Sequence, residues 1–588
     1  MDSAPPRPSR SWRTPSVLWM YALAAGVTAS VVMPAASQRE EMIRLTCLVV
    51  GPAPPDSPSS STEASDHGGQ LLATALSLKP TLTLDMDLEA CKRNVDVQQL
   101  LARINMVSQT AGGILGALTV AAWSSFSDRA GRCRVLAFAV LGLTVKELCF
   151  YIVLLYPQSM VSTGGAVLYA GPIFDGLFGG TPLLNAVWTA YLADVVPVDR
   201  IPINAVGLNA VAAVVAMVFP LVGPFLVKHT SSRYVHRQAP LNARLLPFEA
   251  TLVLQVLLTL FVTFVVPESL RNAPERKHTA APFQLTSVPP PGRQGFAVDV
   301  ARRSMRRLFS PLRSLAVFLP RSRGPGFPKD WNMLCLATVF FLISLAREES
   351  PEVQYVMFTF GWGQSELARR YSLLALWRMA TVATIIPFYT FVLKPFVVSR
   401  FSGAPRGRPC DDRGNTSEQS PLLAGLNEAD GAMVPPAVPN STEQGNQDPR
   451  PAKVKALLDQ SFLALFILIE CLGFTVRGLN VSGNVLQYVA GTAVALMGEP
   501  GTFILDPLLL ELSPTAGKTG CLFGARTVLT TLGGSIFSPV LFNAILRATI
   551  GPYPPMFFLA AALLYFLSFL STVLIRVRSI GSQAITQP

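Results

Sequence analysis

The sequence predicts an all-α membrane protein of twelve transmembrane helices, arranged as two pseudo-symmetric six-helix bundles. Three observations lead to this fold class. Half of the 588 residues are apolar, only 14% are charged, and the mean hydropathy is +0.41. The apolar residues form runs of about 20, the length that crosses roughly 30 Å of hydrocarbon as a helix. Six of these runs precede a long basic segment and six follow it.

Each run is numbered here as a span, because backbone polar groups in lipid must be satisfied within a helix. The predicted spans 1 to 12 are approximately 16–36, 104–123, 135–156, 167–195, 203–227, 248–266, 331–345, 371–398, 456–474, 485–512, 521–546 and 555–575.

Loop composition predicts the domain boundaries. Residues 1–15 are a cytoplasmic tail and residues 37–102 a long, acidic extracytoplasmic loop. Residues 268–330 carry twelve Lys or Arg against four acids, the excess expected of a cytoplasmic loop. This central loop separates an N-terminal bundle, 16–267, from a C-terminal bundle, 331–588.

The net charge of +12 lies largely in loops rather than on one surface, so the expected partner is a lipid bilayer and not a nucleic acid. The eight cysteines show no metal spacing, and the sequence has no phosphate-binding glycine loop. No metal, cofactor or enzymatic activity is therefore expected. Cys47 and Cys91 share the predicted 37–102 loop, and the sequence leaves open whether they form a disulfide.

A polar turn, Ser124–Arg134, separates spans 2 and 3 and contains the sequence SSFSDRAGRCR. A plain hairpin carrying positive-inside charge is one explanation. The other explanation is a structured turn built from specific residue types. A glycine permits a tight turn, and an aspartate accepts bonds from arginines or a helix N-terminus. The residues concerned are Asp128, Arg129, Gly131, Arg132 and Arg134.

This turn resembles the first cytoplasmic hairpin of the major facilitator superfamily, G-x-x-x-D-R-x-G-R-[RK]. Asp128, Arg129, Gly131 and Arg132 match in place, Ser124 replaces the leading glycine, and Arg134 supplies the basic residue that Cys133 replaces. The resemblance implies a carrier in which this hairpin holds the two bundles together on the cytoplasmic side.

A narrower resemblance concerns span 4. Asp175-Gly-Leu-Phe-Gly-Gly180, followed by Tyr191-Leu-Ala-Asp194 and by Pro267-Glu-Ser-Leu270, is similar to the proton-coupled folate transporter family and its fungal relatives. The resemblance is looser in the C-terminal bundle. It implies a proton-driven or orphan solute carrier and does not carry over a folate substrate.

Ionisable residues inside spans are costly and usually line a cavity or proton path. The proton-coupling or substrate candidates are Asp175, Arg378, Glu499, Asp506 and Arg526. Family architecture places spans 4 and 10 at the cavity, which favours Asp175 and Glu499, and burial lets such acids take up a proton. Arg526 lies near the cytoplasmic end, where it would only close a gate. For Lys146 and Glu147, snorkelling or packing against span 2 is favoured, and for Glu470 a structural role.

An insertion at 399–452 is rich in Pro, Gly, Asn and Asp and is predicted to be disordered and cytoplasmic. Its Glu418, Leu422 and Leu423 form an acidic dileucine pattern, which favours a vacuolar or lysosomal membrane over the plasma membrane if it is read.

The predicted function is alternating-access transport of a small organic solute, coupled to protons, by a monomer. One alternative is export of drugs or metabolites, although Phe219 breaks the span 5 antiporter pattern around Gly223-Pro224. A transporter-like sensor or scaffold is the other.

Overall fold

The computed structural model describes residues 14–51, 88–196, 201–231, 241–269, 315–320, 330–347, 350–401, 449–512 and 519–576, and the secondary structure in these ranges is helical. Within them, ten helices are long and apolar enough to cross a membrane. The predicted fold class, an all-α multi-pass membrane protein, is confirmed. The count of twelve spans stays a prediction.

Spans 4 and 7 are outside that set of ten because each is broken. Span 4 consists of Ala170–Leu177 and Gly180–Val195, and between them Gly179 adopts a φ of +91° that glycine tolerates best. Span 7 consists of Asn332–Ala346 and Ser350–Phe360. Each piece is shorter than the roughly 20 residues needed to cross a bilayer alone.

Most of the other spans are longer than predicted, since polar residues at their ends remain helical; span 10 has the predicted bounds and span 12 is slightly shorter. Their helices are Val17–Val32 with Ala35–Val50 (span 1), Val95–Ala130 (2), Arg132–Leu155 (3), Ile201–Val218 with Val222–Ser231 (5), Leu241–Phe264 (6), Gln364–Pro387 with Lys394–Phe401 (8), Pro449–Gly478 (9), Val485–Gly498 with Leu505–Leu512 (10), Thr519–Thr531 with Ser538–Thr549 (11) and Met556–Val573 (12). A π-helical turn joins the two pieces of span 8 at Phe388–Leu393 and those of span 11 at Leu532–Phe537, whereas a 3₁₀ turn, Glu499–Ile504, joins those of span 10.

The predicted 37–102 loop is wrong at both boundaries. Span 1 continues as Ala35–Val50, and helical structure resumes at Leu88–Arg93. Glu40 and Glu41 follow the apolar run of span 1 without ending the helix, because both carboxylates are paired within the bundle. Arg244 of span 6, for example, binds the Glu41 carboxylate with its Nε 2.8 Å from Oε1.

A disulfide joins Cys47 to Cys91, with their Cα atoms 5.9 Å apart. It lies at one end of span 2, whose 36 residues rise about 54 Å, and the Ser124–Arg134 turn lies at the other. These are called the disulfide end and the motif end below.

The two halves share a core at the disulfide end. Buried Cys47, Val97 and Leu101 from the first half pack in one cluster with Tyr355 and Phe558 from the second. At the motif end the described core residues form separate clusters, one within each half. In this conformation the halves are thus packed together at the disulfide end.

Candidate functional site

The Ser124–Arg134 turn is tied to its own half. Gly131 has a φ of +107°, and this conformation lets the carboxylate of Glu268 accept the backbone N–H of Arg132 at 2.7 Å and of Cys133 at 3.1 Å. A β-carbon at Gly131 would lie 2.5 Å from that carboxylate. Glu268, which follows span 6, therefore sets the start of span 3.

Arg132 connects this turn to span 4. Its guanidinium lies 2.5 Å from Asp128 Oδ1 and 3.1 Å from Asp194 Oδ2, and Ser269 donates to the same Asp194 oxygen at 3.1 Å. The Asp128 side chain is 61% exposed, and Arg129 and Arg134 are also exposed. The motif thus combines a fixed part within the N-terminal half with charges that face outward.

A cavity of about 410 Å³ lies among spans 1 to 4 and is covered by span 11 of the other half. Asp175 and Lys146 line it, with Lys146 Nζ 3.7 Å from Asp175 Oδ2. The second oxygen of Asp175, Oδ1, is buried and has no hydrogen-bond partner in the part of the chain that the structure describes. Asp175 is therefore a cavity residue with one paired and one unsatisfied oxygen.

The structure differs from the sequence interpretation of Lys146. Snorkelling or packing against span 2 was favoured, whereas Lys146 faces Asp175 across the cavity. The break in span 4 explains this, because Gly179 and the helix piece Ala170–Leu177 bring Asp175 against span 3. The neighbouring Glu147 points elsewhere and is buried, with Oε1 lacking a hydrogen-bond partner.

A second charged cluster lies within the C-terminal half. Arg378 of span 8 donates through Nε to Glu499 of span 10 at 2.6 Å. Arg347, at the break in span 7, lies 3.8 Å from Glu470 and 3.9 Å from Glu499. Two arginines therefore serve two carboxylates, and the Tyr565 hydroxyl interacts with both Arg347 and Glu470. Among the described residues, Glu470 Oε2 has no hydrogen-bond partner.

The two remaining candidates, Asp506 and Arg526, form a pair that is separate from both clusters. Arg526 Nε lies 2.9 Å from Asp506 Oδ1, and the two side chains are 34% and 37% exposed. The Arg526 guanidinium also lies 5.4 Å from the centre of the Phe340 ring. The structure thus brings Arg378 to Glu499 and Arg526 to Asp506, but joins neither pair to Asp175.

Polar contacts cross between the halves at the disulfide end. Glu40 of span 1 accepts the backbone N–H of Gln364 at 2.9 Å, at the start of span 8. Ser37 Oγ donates to the Gln364 side chain at 2.9 Å, and Lys92 Nζ to the carbonyl oxygen of Gly361 at 3.1 Å. A carboxylate at a helix N-terminus is favourable, so Glu40 helps to hold this end closed.

Sequence analysis missed a buried network around Glu352. Its carboxylate lies 2.6 Å from Arg370 and 3.0 Å from Arg477, and accepts the Tyr488 hydroxyl at 2.6 Å. The Arg477 guanidinium stacks 4.0 Å from the centre of the Phe474 ring. The available signal was that Arg370 and Arg477 lie just outside predicted spans 8 and 9, but nothing in the sequence brings them together.

The dileucine pattern at Glu418, Leu422 and Leu423 lies outside the described residues, as do most of the central loop and of the 399–452 insertion.

Comparison with known proteins relates the chain to transporters. No family model matches it. It is 25% identical over 305 residues to the MFS-type transporter avaJ of Aspergillus versicolor, which covers 51% of this chain and 53% of that protein. The chain therefore matches about half the length of this curated relative.

The fold resembles that of a solved transporter. The inward open xylose transporter XylE from E. coli superposes with a TM-score of 0.51 at 10% identity, covering 95% of this chain and 96% of that one. The human organic anion transporter MFSD10 (TETRAN) gives 0.45 at 13% identity, covering 96% and 100%.

Over about half its length the chain is similar in sequence to a major facilitator transporter, and its fold resembles that of a solved member of that superfamily. Its many apolar helices make it an integral, multi-pass membrane protein. The relatives are transporters and not enzymes. The narrower resemblance to the proton-coupled folate transporter family stays a prediction.

Proposed function

We propose that the protein is a secondary active transporter that moves a small organic solute by alternating access and couples it to protons. The observation that carries this proposal is the cavity between the halves, in which Asp175 is paired only weakly with Lys146. Carriers of this kind bind solute near the midplane, at the interface of two repeats.

Asp175 is the proposed coupling acid. The titratable groups that line its cavity are Arg39, Lys146 and Cys149. Protonation of Asp175 removes the attraction to Lys146, whose nearest carboxylate oxygen is 3.7 Å away. A proton can therefore change the charge balance of the cavity and the pairing of one of its cations.

Glu499 is the second proposed coupling residue. It shares Arg347 with Glu470 and is bound by Arg378. Loss of charge on either glutamate would leave the arginines with one carboxylate, and Arg378 is the half-exposed member of the cluster. This cluster is placed to couple protonation to movement among spans 7, 8, 9 and 10.

The Ser124–Arg134 turn is the proposed cytoplasmic latch. Asp128 pairs with Arg132 of its own half, and among the described residues no ion pair joins the exposed charges Asp128, Arg129 and Arg134 to the C-terminal half. These charges would contact the C-terminal half in the other transport conformation, in which the motif end is closed and the disulfide end is open. This assignment places the motif end and the 399–452 insertion in the cytosol.

The proposed membrane location rests only on a sorting pattern in the sequence. The acidic dileucine at Glu418, Leu422 and Leu423 supports a vacuolar or lysosomal membrane; without its recognition the plasma membrane is expected. The protein is proposed to work as a monomer.

Proteoliposomes with an imposed pH gradient test the proposal. Uptake of glucose, dialanine and benzoate would be measured for the wild type, Asp175→Asn, Glu499→Gln and the control Asp96→Asn, which alters an exposed acid at the disulfide end. Gradient-driven accumulation of at least one solute is expected, reduced at least tenfold in the first two variants and unchanged in the control.

Wild-type-like uptake by both variants would overturn the proton-coupling assignment. A variant lacking residues 405–450 separates transport from recruitment. A transporter keeps its uptake without this insertion, whereas a sensor or scaffold shows no uptake in any form.

A further inference from the structure

We infer that the cavity beside Asp175 binds the carboxylate of a small organic monoanion that has an apolar body. This inference rests on the proposed transport function and specifies its substrate class. It is carried by the charge balance of the cavity, by an unsatisfied buried donor and by the distribution of apolar side chains.

Cations outnumber acids in the cavity lining. Arg39 and Lys146 face one carboxylate, that of Asp175. Lys146 lies within ion-pair distance of Asp175, whereas Arg39 has no ionic partner among the residues that the structure describes. Arg39 is half-buried, and charges withdrawn from water are usually paired, so an anion in the cavity would supply the counter-charge that Arg39 lacks.

The same wall supplies an unused hydrogen-bond donor. Asn105 of span 2 is 5% exposed and lines the cavity, and its Nδ2 has no acceptor in the described chain. Ser108 and Gln109, on the next turn of that helix, also line the cavity. A carboxylate accepts several hydrogen bonds, and an arginine can bind it with two parallel N–H groups.

Part of the remaining lining is apolar. Met42, Phe150, Val153 and Leu168 surround the space next to these polar groups. A volume of about 410 Å³ lies in the range of pockets that hold small organic ligands. The apolar wall fits a hydrocarbon or aromatic body, while the polar wall holds its acid group.

Other solute classes fit this lining less well. A cationic solute would compete with Lys146 for the single carboxylate and would sit beside Arg39. A neutral sugar would leave Arg39 without a counter-charge and would place hydroxyls against the apolar wall. A monoanion with an apolar body would place its carboxylate against the polar groups and its body against the apolar side chains.

Equilibrium binding to the purified full-length protein in nanodiscs, without any gradient, tests this inference. The probes are butyrate, benzoate and 2-naphthoate, each compared with its carboxamide, which has nearly the same shape but no charge. At least one carboxylate is expected to bind ten times or more tightly than its amide. Arg39→Gln should remove most of that preference and Arg39→Lys should retain part of it.

Arg103→Gln is the matched control, since Arg103 lies on span 2 but is exposed outside the cavity. It should bind like the wild type. Equal binding of every acid and its amide to the wild type would overturn the inference, whether or not a variant folds. So would a carboxylate preference that survives in folded Arg39→Gln.

Failure of this inference differs from failure of the proposed function. Proton-driven uptake of a neutral solute, together with no carboxylate preference, would support the transport proposal and overturn the inference that the cavity binds a monoanion. Carboxylate preference that depends on Arg39, without uptake of any solute, would support the monoanion site and contradict the transport proposal.

Discussion

At the residue scale, the charges inside the bundle differ in how completely they are matched. Glu352 is surrounded by two arginines and a tyrosine hydroxyl, all within 3.0 Å. Asp175 has one cation at 3.7 Å and an oxygen without a partner. The complete network is suited to holding the C-terminal half rigid, whereas the incomplete one is suited to exchanging partners.

Glu352→Gln should therefore destabilise the protein strongly. It leaves Arg370 and Arg477, which are 8% and 3% exposed, buried without a counter-charge, a change that costs on the order of 3 kcal/mol. Thermal unfolding in detergent measures it. Glu249→Gln, at an exposed acid that accepts one tyrosine hydroxyl, should change the unfolding free energy by less than about 0.5 kcal/mol. Equal effects of the two variants would contradict the assigned role.

At the element scale, breaks and turns position the charges more than the regular helices do. The break at Gly179 turns the first piece of span 4 so that Asp175 meets span 3. The 3₁₀ turn Glu499–Ile504 in span 10 carries Glu499 at its first residue. The left-handed conformation of Gly131 lets Glu268 bind the start of span 3. Each feature requires backbone that a continuous helix does not provide.

Gly131→Ala tests the last of these. The added β-carbon would meet Glu268 Oε2 at 2.5 Å and would keep a φ that L-residues rarely adopt, which predicts a loss of about 1–3 kcal/mol. Thermal unfolding is again the measurement. Gly116→Ala in span 2 is the matched control, because the nearest atom to its β-carbon lies at 3.6 Å, so stability should be unchanged or slightly higher. If Gly131→Ala were as stable as Gly116→Ala, Glu268 would not depend on this turn.

At the scale of the whole molecule, the two halves are joined at one end. The shared core and the contact from Glu40 to the N-terminus of span 8 lie at the disulfide end. The motif end has separate cores in each half. The conformation described is thus one in which the disulfide end is closed.

Glu40→Gln should weaken that closure, because a neutral amide interacts less favourably than a carboxylate with a helix N-terminus. Cys149 lines the cavity, so its labelling by a membrane-impermeant maleimide added from the disulfide side should rise several-fold. Parallel reactions with Cys149→Ser identify the labelled site. Asp96→Asn lies at the same end without bridging the halves and should label like the wild type. Unchanged labelling in Glu40→Gln would show that this contact does not hold the gate.

The sequence by itself determined the membrane-spanning class, the resemblance to major facilitators and the positions of most spans. Long apolar runs and a contiguous motif are local signals, and lipid requires each apolar run to be helical. Charged residues at span ends were the exception. Arg39, Glu40 and Glu41 predict a loop in the sequence but lie on a helix.

Only the tertiary structure decided which charges meet. Lys146 with Asp175, Glu499 with Arg347 and Arg378, and Glu352 with Arg370 and Arg477 are pairs between different spans. The disulfide between Cys47 and Cys91 and the closed end beside it were decided in the same way. Rotation of each helix about its axis selects these partners, and packing of the whole bundle sets that rotation.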